Sequence, residues 1–140
     1  MSVKYFLDTN IFVYSFDRSA PEKAKTSTQL IRQAVTSHTG IVSYQVIQEF
    51  LHVALRRFSQ PMTTADAEQY LSTVLRPLLM VHSSLALYIE ALGLQNRFRI
   101  SWYDSLIVAA AIEGGCNILY SEDLQHGMKF GDLQVKNPFL

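Results

Sequence analysis

The chain has 140 residues, of which 49% are hydrophobic and 17% are charged. This length predicts one domain, residues 1–140, and this composition excludes a disordered chain. Twelve basic and twelve acidic residues give a formal net charge of zero, so nucleic-acid binding would have to come from local charge placement.

The first predicted element is a strand at residues 4–7, which stops at Asp8. Residues 11–16 are apolar and predict a short helix. The sequence SAPE at residues 19–22 resembles a capping box with proline in the first turn. We therefore expect a longer helix from there to residues 38–40.

A second strand is predicted at residues 40–42, and Ser43 is placed to cap the helix after it. The apolar residues between positions 46 and 58 follow a helical period on one face. A further helix is expected from residue 63 or 64 through 75, and Pro77 should close it.

The next predicted elements are a third strand at residues 78–81 and a helix to about residue 97, capped by Ser83 or Ser84. The helix at residues 102–113, capped by Ser101, is apolar nearly all round and ends at two glycines. Such a helix should lie at the centre of the protein.

A fourth strand is predicted at residues 118–120 and a weaker fifth at residues 133–135. Short, apolar strands that do not alternate and are separated by helices indicate an α/β fold with a parallel sheet covered on both faces. In such sheets, ligands bind beyond the carboxyl ends of the strands, where the strand order reverses.

Residues 1–8 lack the apolar segment of a signal peptide. The longest uninterrupted apolar run, residues 106–112, is far shorter than the ~20 residues that span a bilayer. The single cysteine excludes an internal disulfide and cannot by itself build a thiolate zinc cluster. We therefore expect a cytoplasmic protein without a membrane anchor.

Four acidic residues are predicted to lie at the carboxyl edge of the sheet. Asp8 and Asp123 follow the first and fourth strands. Asp104 lies in the first turn of the central helix, and Glu49 lies early in the helix after the second strand. The hypothesis of a site depends on this coincidence of four positions.

Electrostatic repulsion indicates what such a cluster would do. Two carboxylates about 5 Å apart repel by roughly 3 kcal/mol at an effective dielectric constant of about 20, which is large beside a total stability of ~5–15 kcal/mol. The cluster must therefore take up protons or bind a cation, and all-oxygen ligands select Mg²⁺ or Mn²⁺. Because such a cation activates water and neutralises a phosphodiester, the residues indicate metal-dependent phosphoester chemistry.

Each acidic residue also has a plainer interpretation. Asp8 could cap the short helix that follows it, and Asp104 could be a charge favoured by the helix dipole. Glu49 could be an ordinary solvated helix residue, and Asp123 could be a turn former ahead of Gly127.

Several histidine and aromatic side chains are also of types that can bind ligands. Glu49 and His52 have the spacing of half a di-iron motif, but the sequence lacks the partner motif, so His52 is expected on the helix surface. His126 is interpreted first as a turn residue and second as a substrate contact. Trp102 and Tyr103 are expected to pack in the core or in a dimer interface rather than to stack on bases.

Basic side chains near the predicted helix ends are candidates for phosphate contacts, and scattered solvated charge is an equally good interpretation. They are Arg18, Lys23, Lys25, Arg56, Arg57, Arg97 and Arg99.

The chain resembles the PIN-domain ribonucleases in four ordered motifs: LDTN at residues 7–10, QEF at 48–50, DSLIVAAA at 104–111 and YSEDL at 120–124. The NPF at residues 137–139 is similar to a common ending in that family. The resemblance covers essentially the whole chain. Ser121 stands where the family more often has threonine, and it retains the hydroxyl group.

The resemblance implies a three-layer fold whose central parallel sheet has the strand order 3-2-1-4-5. It implies that the catalytic and metal-binding residues are Asp8, Glu49, Asp104 and Asp123. It further implies that Asn10 and Ser121 are polar supports that orient these carboxylates or water. No organic cofactor is expected.

The implied reaction is hydrolysis of single-stranded or looped RNA with Mg²⁺ or Mn²⁺. Many chains of this size that resemble the family in this way are VapC-type toxins of type II toxin–antitoxin pairs, often homodimers held inactive by a small antitoxin. Two alternatives stay open: a housekeeping RNA-processing nuclease, and a non-catalytic PIN-like module that binds RNA or protein.

Overall fold

The computed structural model of the chain describes residues 3–140. Its strands are β1 (Tyr5–Leu7), β2 (Gly40–Ser43), β3 (Leu79–Val81), β4 (Ile118–Tyr120), β5 (Lys129–Phe130) and β6 (Leu133–Lys136). They form one sheet with the order β3-β2-β1-β4-β6-β5. Neighbouring strands are parallel except for β5, which pairs with β6 in the antiparallel sense.

The predicted α/β fold and its parallel sheet are confirmed. The one difference in strand order is β5, an antiparallel edge strand of only two residues that the sequence analysis did not predict. Its neighbour β6 is the predicted fifth parallel strand, and it extends one residue further than expected.

The helices connect the first four strands. They are α1 (Thr9–Tyr14), α2 (Pro21–Ser37), α3 (Tyr44–Arg56), α4 (Thr64–Tyr70), α5 (Arg76–Leu78), α6 (Leu85–Phe98) and α7 (Trp102–Glu113). A π-helical turn, Leu71–Leu75, joins α4 to α5. Within residues 3–140, none of these helices has the length and apolar character needed to cross a membrane.

Helix α7 lies at the centre, as its composition predicts. Its residues from Ser105 to Ala111 are all buried, and the helix packs against α6, β2 and β4. Ser101 caps it by accepting a hydrogen bond from the backbone nitrogen of Asp104 at 3.1 Å. The cap and the buried run together place the first turn of α7 at the edge of the core.

The structure corrects the predicted start of α2. Helix α2 begins at Pro21 with Ala20 as the N-cap and without a side-chain cap. Ser19 instead donates a hydrogen bond to Asp17 at 2.6 Å, so its hydroxyl is used in the preceding turn.

Two further helix ends differ from expectation. Ser43 occupies the N-cap position of α3, but its buried hydroxyl has no hydrogen-bond partner among the described residues. Pro77 does not close the helix before it, because the chain continues through the π-helical turn into α5. There Pro77 lies near the helix start, where a missing N–H costs little.

The sheet itself brings two parts of the candidate site together. Leu7 at the end of β1 pairs with Tyr120 at the end of β4. The backbone nitrogen of Asp8 continues this pairing by donating to the carbonyl of Tyr120 at 3.1 Å. Asp8 and Ser121, one residue beyond each strand, therefore emerge side by side at the carboxyl edge.

Candidate active site

Asp8 is a buried carboxylate held through both of its oxygens. Its Oδ1 caps α1 by accepting from the backbone nitrogen of Thr9 at 2.7 Å. Its Oδ2 accepts from the hydroxyl of Ser121 at 2.8 Å. The side chain therefore has the capping role that the plainer interpretation assigned to it, and it also faces the neighbouring strand.

Glu49 on α3 is tied to the junction between β1 and α1. Its Oε1 accepts a hydrogen bond from the hydroxyl of Thr9 at 3.0 Å. The same oxygen lies 3.4 Å from the amide nitrogen of Gln45, one turn earlier on α3. Although Glu49 as a whole residue is exposed, its carboxylate is therefore fixed beside Asp8.

Gln45 joins α3 to the first turn of α7. Its side chain is only 5% exposed, and its amide nitrogen donates to the backbone carbonyl of Tyr103 at 3.3 Å. The next residue is Asp104, which is half-buried. The spacing between Glu49 and Asp104 is thus set partly by one buried amide.

Asp123 is positioned by side chains from both ends of the site. Its Oδ1 accepts from the amide of Asn10 at 3.1 Å. Its backbone nitrogen donates to the hydroxyl of Ser121 at 3.2 Å. Ser121 is therefore hydrogen bonded to both Asp8 and Asp123.

A second cluster fixes the residue next to Asp123. The two oxygens of Glu122 accept hydrogen bonds from Lys23 and from the hydroxyl of Tyr14, each at 2.6 Å. The ammonium group of Lys23 also lies 4.5 Å from the centre of the Tyr14 ring. These contacts attach the segment after β4 to α1 and α2. They also pair the charge of Lys23 with the carboxylate of Glu122.

The four predicted acidic residues line one cavity of about 160 Å³. This volume has room for several water molecules. Ser121 lies behind Asp8 and does not line the cavity. The lining residues are Asp8, Thr9, Asn10, Gln45, Glu49, Val53, Tyr103, Asp104, Ile107 and Asp123.

The electrostatics of the cavity disfavour several negative charges at once. Burial raises the pKa of Asp8 to about 7, although hydrogen bonds from Ser121 and Thr9 lower it. Partial burial also raises the pKa of Glu49 and that of Asp123. The negative charge of Asp104 raises the pKa of Glu49 and that of Asp123 further, so these acids interact with one another.

The donor set fits a hard divalent cation, because it consists of carboxylate oxygens around one small cavity, and burial raises the pKa of Asp8, Glu49 and Asp123. Within residues 3–140, no three His, Cys, Asp or Glu side chains already form a metal cage. The carboxylates surround the cavity instead of converging on one point. Mg²⁺ usually keeps several waters and uses one or two carboxylates, which suits this arrangement.

The sequence analysis did not single out Thr9 or Gln45. Thr9 adjoins Asp8, and Gln45 lies four residues before Glu49, a spacing that places two side chains on one helix face. These two spacings are the signals in the sequence that could have identified Thr9 and Gln45. The hydrogen bond from Thr9 to Glu49, however, depends on how α3 packs against α1.

Tyr103 does not pack in the core, because it is 66% exposed and lines the cavity; packing in a dimer interface, the other expectation for it, stays a prediction. Trp102, by contrast, is partly buried and lies against Tyr88, with the ring centres 6.4 Å apart.

His52 is exposed, as expected. His126 accepts a hydrogen bond from the backbone nitrogen of Asn137 at 3.0 Å and is not among the residues that line the cavity.

The profile of the PIN domain family matches residues 5–127. The chain therefore belongs to the PIN domain family. A comparison with curated proteins finds no match.

Three solved structures have a similar fold. One is a toxin–antitoxin complex from Klebsiella pneumoniae, with a TM-score of 0.67 and 16% identity over 96% of this chain and 98% of that chain. A second is VapBC2 from Rickettsia felis bound to a promoter DNA fragment, with a TM-score of 0.67 and 17% identity over the same shares. A third is VapC20 from Mycobacterium tuberculosis, described as a sarcin–ricin loop cleaving toxin, with a TM-score of 0.59 and 20% identity over 84% and 88%. At these identities the likeness shows the fold.

Proposed function

We propose that this chain is an endoribonuclease that hydrolyses RNA phosphodiesters with Mg²⁺ or Mn²⁺, and that it is the toxin of a type II toxin–antitoxin pair. The observation that carries the proposal is the set of four carboxylates around one cavity in a member of the PIN domain family. The toxin role is supported by the fold, because two similar structures that span 96% of this chain are toxin–antitoxin complexes.

In this proposal, Asp8, Glu49, Asp104 and Asp123 hold the cation. When bound there, a divalent ion would supply a water of lowered pKa and neutralise charge on the phosphodiester. The donors around the acids keep them in place for that task. Ser121 and the backbone of Thr9 favour the ionised form of Asp8, since both donate to its carboxylate.

The remaining contacts limit the movement of the other acids. Thr9 and Gln45 hold Glu49, and Asn10 holds Asp123. A misplacement of about 1 Å can cost a factor of about 100 in rate, so such contacts matter to catalysis even without touching the substrate. The clamp on Glu122 acts in the same way on the segment that carries Asp123.

The proposed partners are RNA, a small antitoxin and a second copy of the chain. Helix α6 offers an apolar face for the second copy, because Leu85, Ile89 and Leu92 are 79%, 69% and 56% exposed. Their spacing of four and three residues places them on one side of the helix. Sedimentation of the wild type and of Ile89→Glu tests this: a dimer that Ile89→Glu converts to monomer supports the contact, and a monomeric wild type contradicts it.

The proposed activity is tested by RNA cleavage with Mg²⁺, with Mn²⁺ and with EDTA, using the wild type, Asp8→Asn and Asp123→Asn. The exposed Asp132 provides a matched control, Asp132→Asn. We expect cation-dependent cleavage by the wild type and the control, and a loss of at least 100-fold in the other two variants, as is typical for the removal of a charge-stabilising group at the reacting centre. Equal cleavage in all samples would indicate a contaminating nuclease and refute the proposal.

The proposed role as a toxin that an antitoxin inhibits has a separate test. Induced expression of the wild type in bacterial cells should stop growth, and Asp8→Asn should not. Co-expression of the protein encoded beside this chain in its genome should restore growth. Cleavage in vitro without an effect on growth would favour a housekeeping nuclease, and stoichiometric RNA binding without cleavage would favour a non-catalytic module.

A further inference from the structure

Tyr103 is a large aromatic residue at the mouth of the carboxylate cavity, beside Asp104. It lines the cavity and yet keeps 66% of its surface exposed. The buried stretch of α7 begins two residues later, at Ser105. The core therefore does not account for an aromatic side chain at this position.

The backbone that carries Tyr103 is fixed on both sides. Its carbonyl accepts a hydrogen bond from the buried Gln45 at 3.3 Å, and Ser101 caps the helix two residues before it. Tyrosine has only two side-chain torsions to restrict on binding, so it offers contact area at a low entropic cost. The position is thus suited to hold a flat ligand group at the cavity mouth.

The charges of the site favour a contact without ionic character. The chain has a formal net charge of zero, and the cavity itself is lined by four acidic residues. A general positive field, which supplies much of the affinity of many nucleic-acid-binding proteins, is therefore absent. Stacking of a base on an aromatic ring supplies affinity independently of charge.

We propose that Tyr103 is a stacking platform for the unpaired nucleobase next to the phosphodiester that is cleaved. The inference rests on the proposed ribonuclease function and adds a substrate-binding residue to it. A base inside a continuous duplex already has neighbours on both faces, so it cannot stack on Tyr103. Tyr103 should therefore favour substrates in which this nucleotide is unstacked.

The test compares wild type, Tyr103→Phe and Tyr103→Leu in two measurements. The first is KM and kcat for cleavage of a short single-stranded RNA. The second is the affinity of the same variants, each carrying Asp8→Asn to prevent cleavage, for a fluorescent RNA across a salt series. Met80→Ala, which removes an exposed apolar side chain of β3 that does not line the cavity, is the control.

Tyr103→Leu should weaken RNA binding by about 5- to 150-fold, with a matching rise in KM and a smaller change in kcat. Tyr103→Phe and Met80→Ala should stay within about twofold of the wild type, since the first retains an aromatic ring and the second leaves Tyr103 in place. The dependence of log affinity on log salt should have the same slope in all variants, because no phosphate contact is removed.

Three outcomes separate the proposals. A Tyr103→Leu variant with the wild-type KM and affinity overturns the stacking role and leaves the ribonuclease function standing. Conversion of a dimer to a monomer by Tyr103→Leu, measured by sedimentation, also overturns it and assigns Tyr103 to the contact with a second copy. A wild type that neither cleaves nor binds RNA overturns the ribonuclease function itself.

Discussion

The burial of Asp8 has a measurable consequence for stability when divalent cations are absent. The pKa of its carboxyl group is about 7 in the folded protein, against an ordinary value of 3.8. Between these values the folded state keeps a proton that the unfolded state has released, so the free energy of unfolding falls as pH rises. The stability associated with the protonated form is fully present below about pH 3.8 and is lost as pH rises through about 7.

The magnitude follows from the difference between the two values. About three pH units at about 1.36 kcal/mol each give about 4 kcal/mol. This is a large part of a typical domain stability of ~5–15 kcal/mol. Ionised Asp8 therefore makes the cation-free protein markedly less stable at neutral and alkaline pH.

Asp8→Asn should remove this penalty without removing the helix cap. Asparagine is as good an N-cap as aspartate, and its oxygen can still accept from the backbone nitrogen of Thr9. The hydroxyl of Ser121 can rotate to accept from the new amide. We expect the variant to be more stable than the wild type by about 4 kcal/mol at pH 8 and by about 2 kcal/mol at pH 5.

Urea unfolding in EDTA at the two pH values measures these differences, with Asp132→Asn as the exposed control. Mn²⁺ at 100 times its Kd at pH 8 should reduce the difference to about 1 kcal/mol, since it stabilises the wild type by about 2.7 kcal/mol and binds the variant less well. If the wild type and Asp8→Asn change in parallel between pH 5 and pH 8, or if the variant is the less stable at pH 8, Asp8 is only a charged cap.

Three further predictions concern single residues. Asp104→Asn should leave the melting temperature in EDTA unchanged or raise it, because it removes a charge that raises the pKa of two neighbouring acids; a large loss of stability would instead indicate a structural capping role. Gly40→Ala should lower the free energy of unfolding in urea by about 1–3 kcal/mol, since the added Cβ would lie 2.4 Å from that of Ala34; an unchanged value would mean that the neighbouring helix yields freely. Ser121→Ala removes a hydrogen bond that lowers the pKa of Asp8, so the loss of stability that begins near pH 3.8 in EDTA should continue to a higher pH than in the wild type; an unchanged upper limit would contradict the role of this hydrogen bond.

The position of the acidic residues could be predicted because it depends on features that the sequence states directly. Asp8 and Asp123 follow strands, and parallel strands end at a common edge. Asp104 could be placed because a serine cap and a long apolar run define where α7 begins. Each of these inferences needs only the order of elements and the local pattern.

The hydrogen bonds that hold the acids could not be predicted in the same way. The bond between Thr9 and Glu49 joins residues 40 positions apart, and the contact from Gln45 to Tyr103 joins residues 58 positions apart. Both depend on the distance and rotation between packed helices. The exposure of Tyr103 could not be predicted for a related reason, since the apolar pattern of α7 does not show where along the helix the core ends.

Local competition explains the errors in the helix ends. Ser19 has the right spacing for a cap, but Asp17 is two residues away and offers a charged acceptor at 2.6 Å. The spacing of the SAPE motif does not include Asp17, so the motif alone predicts a cap at Ser19. The edge strand β5 was missed because two residues are too few to show any period.

Helix capping and site formation are not competing explanations of Asp8. Capping uses one lone pair of Oδ1, and Ser121 uses one of Oδ2, which leaves acceptor capacity on both oxygens at the cavity. A cap alone is satisfied equally well by an exposed aspartate or by asparagine, neither of which suffers the desolvation that raises the pKa of Asp8 to about 7. The burial is therefore a cost that capping does not require. Under the proposed function the same carboxylate also meets a positive charge at the cavity, and the low dielectric constant around a buried group strengthens that attraction.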